Sequence, residues 1–134
     1  MKKKDENKLQ QECWLYVEKH HKNLIAHQVV NGFGITIPQT IPLQFHDLIR
    51  KAIAMKVEVL SFTGMKKGVA DMLIHGNNGR CLWVELKTPT GTQRDAQIRL
   101  QAKVQSNGGR YIMPRTEQEF IQNLTENMSW LLDK

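Results

Sequence analysis

The sequence predicts an α/β fold in which a small mixed sheet is flanked by helices. Two observations lead to this fold class: apolar residues recur at helical spacing in several segments, and short β-branched runs lie between them. The length of 134 residues suits a single domain, which we expect at residues 8–134 after a polar tail at residues 1–7. A composition of 40% hydrophobic and 24% charged residues is typical of a globular chain.

The first half of the chain predicts a helix, a strand and a second helix. An apolar stripe at helical spacing places the first helix at about residues 8–21. Residues 24–30 form a β-branched run that predicts a strand, and the loop after this strand ends at Pro42. Residues 43–62 carry two apolar rows, so we expect a well-buried helix there that ends before Gly64.

The second half predicts a hairpin, a helix and a final strand, at residues 69–75 with 80–87, 93–107 and 110–113. The two hairpin strands are separated by Gly76, Asn77, Asn78 and Gly79, which tolerate the positive φ angles of tight turns. After Pro114 we expect short helical segments that pack on the edge of the domain.

The formal net charge of +6 is concentrated in the middle of the chain. Residues 47–115 hold twelve basic and five acidic residues, whereas residues 116–134 hold one basic and four acidic residues. Concentrated positive charge attracts a polyanion, and nucleic acid is the commonest one in the cytoplasm. A basic, solvated surface without such a partner is the alternative that charge alone leaves open.

Cysteine usage and hydropathy indicate the compartment. Cys13 and Cys81 are too few and too poorly spaced for a disulfide framework or a zinc site, and they fit core thiols in a reducing cytoplasm. No apolar run approaches the roughly 18 residues of a membrane span, and no apolar segment of a secretion signal follows the N-terminal lysines. We therefore expect a cytoplasmic protein with no membrane partner.

The hairpin carries the residues that point to chemistry. Side chains alternate across a strand, so Glu85 and Lys87 project from one face while Leu86 turns into the core. If the hairpin register sets Asp71 opposite Glu85, two carboxylates can share a hard cation, with the Leu86 carbonyl as a third ligand. Such oxygen ligands suit Mg²⁺ or Mn²⁺. Lys87 can then orient the attacking water or stabilise charge that develops in the transition state.

Each of these residues also has an ordinary structural interpretation. Glu and Lys at alternate positions are common on solvated sheet faces, but here they lie within an apolar run, where an unpaired charge is costly. Gln97 points to the buried side of its helix, and the alternative is a core glutamine bonded to backbone. Glu12 flanks the stripe of the first helix and can supply another carboxylate, although most helical glutamates are solvated.

Taken in order, these motifs resemble a known superfamily. GVADMLI, then CLWVELKTPTG, then a helical Gln97 and Gly108-Gly109 before RYIM are similar to the PD-(D/E)xK nucleases, and within them to the VRR-NUC family of virus-type replication and repair nucleases. The resemblance runs from Glu12 to about Met113 and implies a restriction-endonuclease-like α/β core. One departure is Ala70, where the family usually has a proline that takes no part in the chemistry.

The resemblance assigns roles to these residues. It implies that Asp71 and Glu85 are the metal-binding acids, Lys87 the catalytic lysine, Gln97 the family glutamine and Glu12 the helical acid. The implied activity is divalent-metal-dependent hydrolysis of phosphodiester bonds in branched DNA, such as four-way (Holliday) junctions or flaps, by a phage or prophage protein in a bacterial host. The alternatives are a non-catalytic nucleic-acid-binding protein that keeps the fold and a small restriction-type endonuclease.

Two further expectations concern partners. We expect phosphate contacts from basic residues that surround the site in sequence, namely Lys66, Lys67, Arg94, Arg99, Lys103 and Arg110. We also expect a homodimer, because paired cuts on a four-way junction require two sites related by symmetry. Trp14, Leu15 and the cluster at residues 130–132 are candidates for the interface, and aromatic residues wrapped around a single core are the alternative.

Overall fold

The structure, a computed structural model, describes residues 2–29, 37–62 and 68–134. The chain divides into two compact units, one of residues 1–29 with 68–134 and one of residues 30–67. The described residues form four α-helices and a four-stranded mixed sheet with helices flanking it. The predicted α/β class is therefore confirmed.

The sheet belongs to the first unit. Its strands lie in the order β1, β2, β3, β4 and span Ile25–Gln28, Met72–His75, Cys81–Val84 and Arg110–Ile112. β1 with β2 and β2 with β3 are antiparallel, whereas β3 and β4 are parallel and are joined through α3 (Asp95–Ser106). The predicted order of hairpin, helix and final strand is confirmed, although the strands are shorter than the predicted runs.

The turn between β2 and β3 has the backbone that its sequence predicts. Asn78 has a φ of 56° and Gly79 a φ of 71°, both in the left-handed region. The Gly76 N–H donates to the Arg80 carbonyl at 3.0 Å and closes the turn. The hairpin register is therefore fixed at this end by the four turn residues.

The first helix, α1, runs from Lys2 to His20 and begins earlier than predicted. The segment expected to be a polar tail is helical in the described residues 2–7. Lysine and glutamate are good helix formers, and Asp5 in the first turn complements the helix dipole. Apolar periodicity detects only the buried stripe of a helix, so it gives no signal in this polar stretch.

The C-terminal segment forms one continuous helix, α4, from Glu117 to Leu131, and the expectation of short helical segments was wrong. The helix begins at Thr116, whose side-chain oxygen accepts from the Glu119 N–H at 3.1 Å. Its residues Phe120, Leu124 and Leu131 are fully buried. α4 is therefore a main part of the core and not an edge element.

The core lies on both faces of the sheet. α1 and α4 cover one face with a cluster that includes Cys13, Val17, Met72, Ile74, Leu82, Val84, Phe120 and Leu124. α3 covers the other face, where Val104 packs with Ala70 and Tyr111. Leu131 is fully buried, and Trp130 and Leu132 pack against the larger cluster, so the C-terminal apolar residues serve the core rather than an exposed patch.

The second unit contains a short 3-10 helix, Leu43–Phe45, and α2, His46–Phe62. The expectation of a well-buried helix is wrong for its described side chains, because Leu48 is 69% and Met55 68% exposed. A short segment with a single α-helix among its described residues offers little surface against which two apolar rows can be buried. Within the described ranges, no helix combines the length and the apolar character needed to cross a bilayer.

Candidate active site

Asp71 and Glu85 lie opposite each other at the open end of the β2–β3 hairpin. The last paired residues of the ladder are Met72 and Val84, and one further step in the same register pairs Asp71 with Glu85. The Leu86 N–H donates to Asp71 Oδ2 at 2.8 Å across the strands. The register on which the pair of carboxylates depends is therefore present.

The backbone of Asp71 is held by two other elements. Its carbonyl oxygen accepts from the Val29 N–H at 2.9 Å, which extends the β1–β2 pairing, and from the Gln10 side chain of α1 at 3.3 Å. These bonds fix the residue although it precedes the regular part of β2. The Asp71 carboxylate is thus placed by β1, β3 and α1 together.

Glu85 and Lys87 follow β3 and are fixed by continued pairing with the next strand. The Glu85 N–H donates to the Ile112 carbonyl at 3.0 Å, and the Lys87 N–H donates to the Pro114 carbonyl at 3.2 Å. Leu86 between them is 2% exposed and belongs to the core cluster under α1 and α4. The predicted alternation is confirmed, since both charged side chains meet Gln97 of α3 instead.

Gln97 joins the two charged side chains. The Lys87 Nζ lies 3.0 Å from Glu85 Oε1 and donates to Gln97 Oε1 at 3.0 Å. The Gln97 Nε2 donates to the same Glu85 oxygen, and its Oε1 also accepts from the Arg94 N–H at 2.9 Å. The amide orientation follows from these partners. Gln97 is therefore bonded to both charged groups as well as to backbone.

Glu85 is the most unusual group in this cluster. It is 2% exposed, and its second oxygen, Oε2, is buried with no hydrogen-bond partner among the described residues. Burial and then the neighbouring Asp71 charge raise the pKa of Glu85 to about 7, against the opposing effect of Lys87. Burial also raises the pKa of Asp71, opposed by the Leu86 N–H and by Lys87. Lys87 supplies one positive charge for two carboxylates, and Glu85 Oε2 has no donor of its own among the described residues.

Glu12 makes no hydrogen bond or ion pair with this carboxylate pair among the described residues. Its carboxylate lies 3.7 Å from Lys8 Nζ on the same helix, and it is Glu6 whose charge raises the pKa of both Asp71 and Glu85. Within the part of the chain that the structure describes, no three His, Cys, Asp or Glu side chains cluster as a metal site. Sequence reasoning missed Glu6 because it lies in the segment predicted as a tail.

Gly68 brings the start of the site against α3. Its φ is 77°, and a Cβ at this position would lie 2.8 Å from the Ala96 carbonyl carbon and 2.9 Å from the Gln97 nitrogen. No larger residue fits without moving the helix backbone. The close approach couples the segment leading to Asp71 to the helical turn that carries Gln97.

Arg115 holds the turn that follows Lys87, and sequence reasoning missed it. Its Nη1 donates to the carbonyl oxygens of Thr88 and Gly91, both at 2.7 Å, and reaches that of Pro89 at 3.3 Å. Since the partners are main-chain carbonyls, no residue pattern announces the contact. The guanidinium ties the Thr-Pro-Thr-Gly turn after Lys87 to the start of α4.

The residues predicted to contact DNA do not all lie at the carboxylate site. Arg94, at the start of α3, and Arg99 and Lys103 on α3 have exposed side chains. Arg94 lies next to the site, since its N–H bonds to Gln97. Lys66 and Lys67 lie outside the described residues. Arg99 and Lys103 are exposed on α3, but only Arg94 has a contact that places it at the site.

Arg110 is not brought to the site. Its Nη1 donates to Asn127 Oδ1 at 2.9 Å, and its guanidinium lies 4.8 Å from the centre of the Trp130 ring. β4 pairs Arg110 with Leu82, three residues before Glu85. Arg110 therefore contacts α4 toward the other end of the sheet.

When the chain is compared with known protein families, with curated proteins and with solved structures, nothing matches. The chemistry of the site is therefore argued from its own geometry. Two opposed carboxylates, a buried free carboxylate oxygen, a lysine and a glutamine form a compact group that has acceptors to spare for a cation.

Proposed function

We propose that the chain is a metal-dependent phosphodiesterase of the PD-(D/E)xK type. The observation that carries this proposal is the buried Glu85 beside Asp71, with one carboxylate oxygen left unpartnered and Lys87 and Gln97 bonded to the other. The order of elements around the sheet supports the restriction-endonuclease-like core that the motifs imply. Within this class we propose a structure-specific DNA endonuclease of the VRR-NUC type.

The donors fit a hard divalent cation. Asp71, Glu85 Oε2 and the Leu86 carbonyl offer only oxygen ligands, which suit Mg²⁺ or Mn²⁺ with the remaining positions taken by water and a phosphate oxygen. A buried polar atom without a partner is costly, and a bound cation would remove that cost. When bound, the ion polarises the scissile phosphate and lowers the pKa of a water ligand.

Lys87 has a free donor for the reacting groups. An ammonium has three N–H donors, and those of Lys87 have Glu85 Oε1 and Gln97 Oε1 as partners. The remaining donor can bond the attacking water or a phosphate oxygen, where it stabilises the negative charge of the transition state. Gln97 keeps the ammonium and the carboxylate aligned, so its role is to position them.

The surface beside the site supports a polyanionic substrate. Arg94, whose N–H bonds to Gln97, and Arg99 and Lys103 on α3 are exposed and give the helix that carries Gln97 an excess of positive charge. Phosphate contacts of this kind release counterions, so DNA binding should weaken steeply with salt and depend little on base sequence. Sharp dependence on one base sequence with little salt effect would favour a restriction-type enzyme instead.

We propose a homodimer as the acting unit on branched DNA. Trp14 and Leu15 on α1 are 40% and 49% exposed, and they are the members of the expected interface that stay on the surface. Two-fold symmetry would bury the same patch from both copies and place two sites for paired cuts. Light scattering tests this: a one-chain mass at micromolar concentration, with undiminished cutting of four-way junctions, contradicts the dimer.

The activity is tested with a substrate panel. Purified protein is incubated with Mg²⁺ or Mn²⁺ and with linear, flap, fork and four-way DNA, alongside the Asp71→Asn variant and a sample with chelator. We expect metal-dependent cuts in branched substrates that both controls abolish. Salt-sensitive DNA binding without any cleavage would replace the proposal with a non-catalytic nucleic-acid-binding protein.

A further inference from the structure

Two histidines meet on the surface of the first unit, away from the carboxylates. The β1–β2 register pairs Ile25 with His75 and His27 with Leu73, so the two histidines are diagonal neighbours on one face. Their Nε2 atoms lie 2.9 Å apart, with ring centres 5.0 Å apart and ring planes 11° from parallel. Two potential metal-binding nitrogens therefore point at each other from adjacent strands.

The spacing can be compared with that of two ligands on one ion. With metal–nitrogen bonds of about 2.0–2.1 Å, two nitrogens at a 90° angle lie about 2.9 Å apart, and two at a tetrahedral angle about 3.3 Å apart. The observed 2.9 Å is the hydrogen-bond distance of the ion-free pair, and a right-angled site needs no separation of the two nitrogens, whereas a tetrahedral one needs about 0.4 Å more. Right-angled nitrogen and oxygen sites are typical of Cu²⁺ and Ni²⁺ rather than of structural Zn²⁺.

The hydrogen bonding of His27 favours the tautomer that a ligand needs. Its Nδ1 lies 3.2 Å from the Gln28 carbonyl oxygen, which can only accept, so a proton on Nδ1 leaves the Nε2 lone pair free. Metal-bound histidines commonly donate their second ring N–H in this way. In the ion-free protein, His75 Nε2–H then donates to His27 Nε2, and His75 must move that proton to its own Nδ1 when it ligates.

We propose that His27 and His75 form a second metal site, which takes Cu²⁺ or Ni²⁺ through the two Nε2 atoms and completes its coordination with water. The site does not depend on the proposed nuclease function. His75 is the last residue of β2 and lies four residues beyond Asp71, about 13 Å away along an extended chain. Imidazole nitrogens prefer borderline transition-metal ions, whereas carboxylate oxygens prefer hard ions such as Mg²⁺. The two sites should therefore bind different ions.

The ion would fasten the edge of the sheet. β1 has four residues and is an edge strand among the described strands, held on one side by β2. A cation bridging His27 and His75 links these strands through side chains and binds only when they are paired. Since such binding favours the folded state, it raises the thermal stability of the chain.

The test measures ion binding and not cleavage. Untagged protein in millimolar Mg²⁺, which competes for the carboxylate pair, is titrated with Cu²⁺ or with Ni²⁺ by calorimetry. Loss of an outer partner of a metal-bound histidine already weakens binding about 10–100-fold. We therefore expect His27→Gln and His75→Gln each to lower the affinity of a single site at least as much. His20→Ala, another exposed histidine outside the pair, is the matched control and should bind as the wild type does.

Thermal unfolding under the same conditions is the second readout. Ni²⁺ should raise the melting temperature of the wild type and of His20→Ala, and should leave that of His27→Gln unchanged. Equal affinities in the wild type and both pair variants would overturn the site. So would a loss that His20→Ala shares to the same extent. Circular dichroism without added ion shows whether each variant is folded, and His27→Gln alters an exposed side chain only.

Discussion

The two ends of the β2–β3 hairpin share the same strands and the same register, yet they differ in how their polar groups are hydrogen-bonded. At the turn end, the side-chain amides of Asn77 and Asn78 donate to the Leu132 and Asp133 carbonyls at 2.9 and 3.1 Å. Arg80 donates to the Trp130 carbonyl at 2.7 Å. The C-terminal end of α4 is thereby capped by the hairpin turn.

At the open end, the hairpin brings like charges together. Asp71 and Glu85 face each other, Glu85 is buried, and its Oε2 has no partner among the described residues. Hydrogen-bonded polar groups stabilise a fold, whereas an unpartnered buried one destabilises it. The turn end therefore supports folding, whereas the open end carries a cost in stability, which the proposed cation would offset.

Asp71→Asn should have the largest effect on cleavage. Asn keeps an acceptor for the Leu86 N–H but removes a metal ligand, so we expect loss of Mn²⁺ binding in calorimetry and a rate lower by about 10³-fold or more. An acid whose pKa is raised by folding stabilises the protein below its unfolded pKa and destabilises it above the folded one. The metal-free variant at pH 8 should therefore melt a few degrees higher.

The control for this variant is Glu126→Gln, an exposed carboxylate on α4. It should change neither the cleavage rate nor the binding of Mn²⁺. If Asp71→Asn cleaved DNA at the wild-type rate, the carboxylates at the open end of the hairpin would have no part in cleavage.

Lys87→Ala should lower cleavage by about 10²–10³-fold through loss of transition-state stabilisation. Its side chain is 10% exposed and is paired with Glu85, whose side chain is 3% exposed, so the substitution leaves a buried carboxylate uncompensated. Breaking such a pair costs about 3–5 kcal/mol. We expect urea unfolding to show this loss in chelator and a smaller one in Mn²⁺.

The exposed Lys103→Ala variant is the matched control, and it should unfold as the wild type does with or without the ion. DNA affinity of Lys87→Ala, measured in Ca²⁺, should stay within a few-fold of the wild type. A Lys87→Ala protein that cleaves at the normal rate would show that the lysine is only structural.

Arg115→Ala should slow cleavage about ten-fold with little change in KM. The guanidinium fixes the carbonyls of Thr88 and Gly91, and its loss frees the turn that follows Lys87, where small misplacements reduce rate. Amide exchange should increase at Gly91, whose N–H donates to the Thr88 carbonyl. An unchanged exchange rate at Gly91 would contradict the positioning role, and Arg110→Ala serves as the control arginine.

Arg80→Ala should change stability and not the rate. It removes hydrogen bonds to Trp130 and Asp133 and the 3.0 Å ion pair with the Asp133 carboxylate, at a partly exposed position. We expect a loss of about 1–3 kcal/mol in urea unfolding. Cleavage at 20 °C should be unchanged, and a large drop in the rate of the folded variant would mean that the two ends are coupled.

The sequence predicts the central residues of the candidate site but not the residues that surround them. Asp71, Glu85 and Lys87 were predictable because strand alternation and apolar neighbours place charges where they are costly. The position of Glu6 near the carboxylates was not predictable, because the rotation of α1 against the sheet is set by its packing and not by its polar residues. The role of Arg115 was not predictable either, because its partners are main-chain carbonyls, which every residue has.

The helices show the same division. α3 was predicted within two residues at its start and one at its end, because an apolar row marks it and Gly108 follows it closely. α4 was predicted as short segments because its first turn is polar and gives no apolar periodicity. The helix nevertheless begins there, after the N-cap residue Thr116. The exposure of Leu48 and Met55 was not predictable, because periodicity gives the apolar face of a helix and not what covers it.

The short spacing of the site along the chain bears on the order of folding. The bonds that join Asp71, Glu85, Lys87 and Gln97 close loops of 10 to 15 residues, whereas those that dock α4 on the turn span 55. Closing the longer loop costs about 1 kcal/mol more chain entropy. We expect the hairpin and α3 to form first in refolding, with the terminal helices added to a frame that already holds the charged residues.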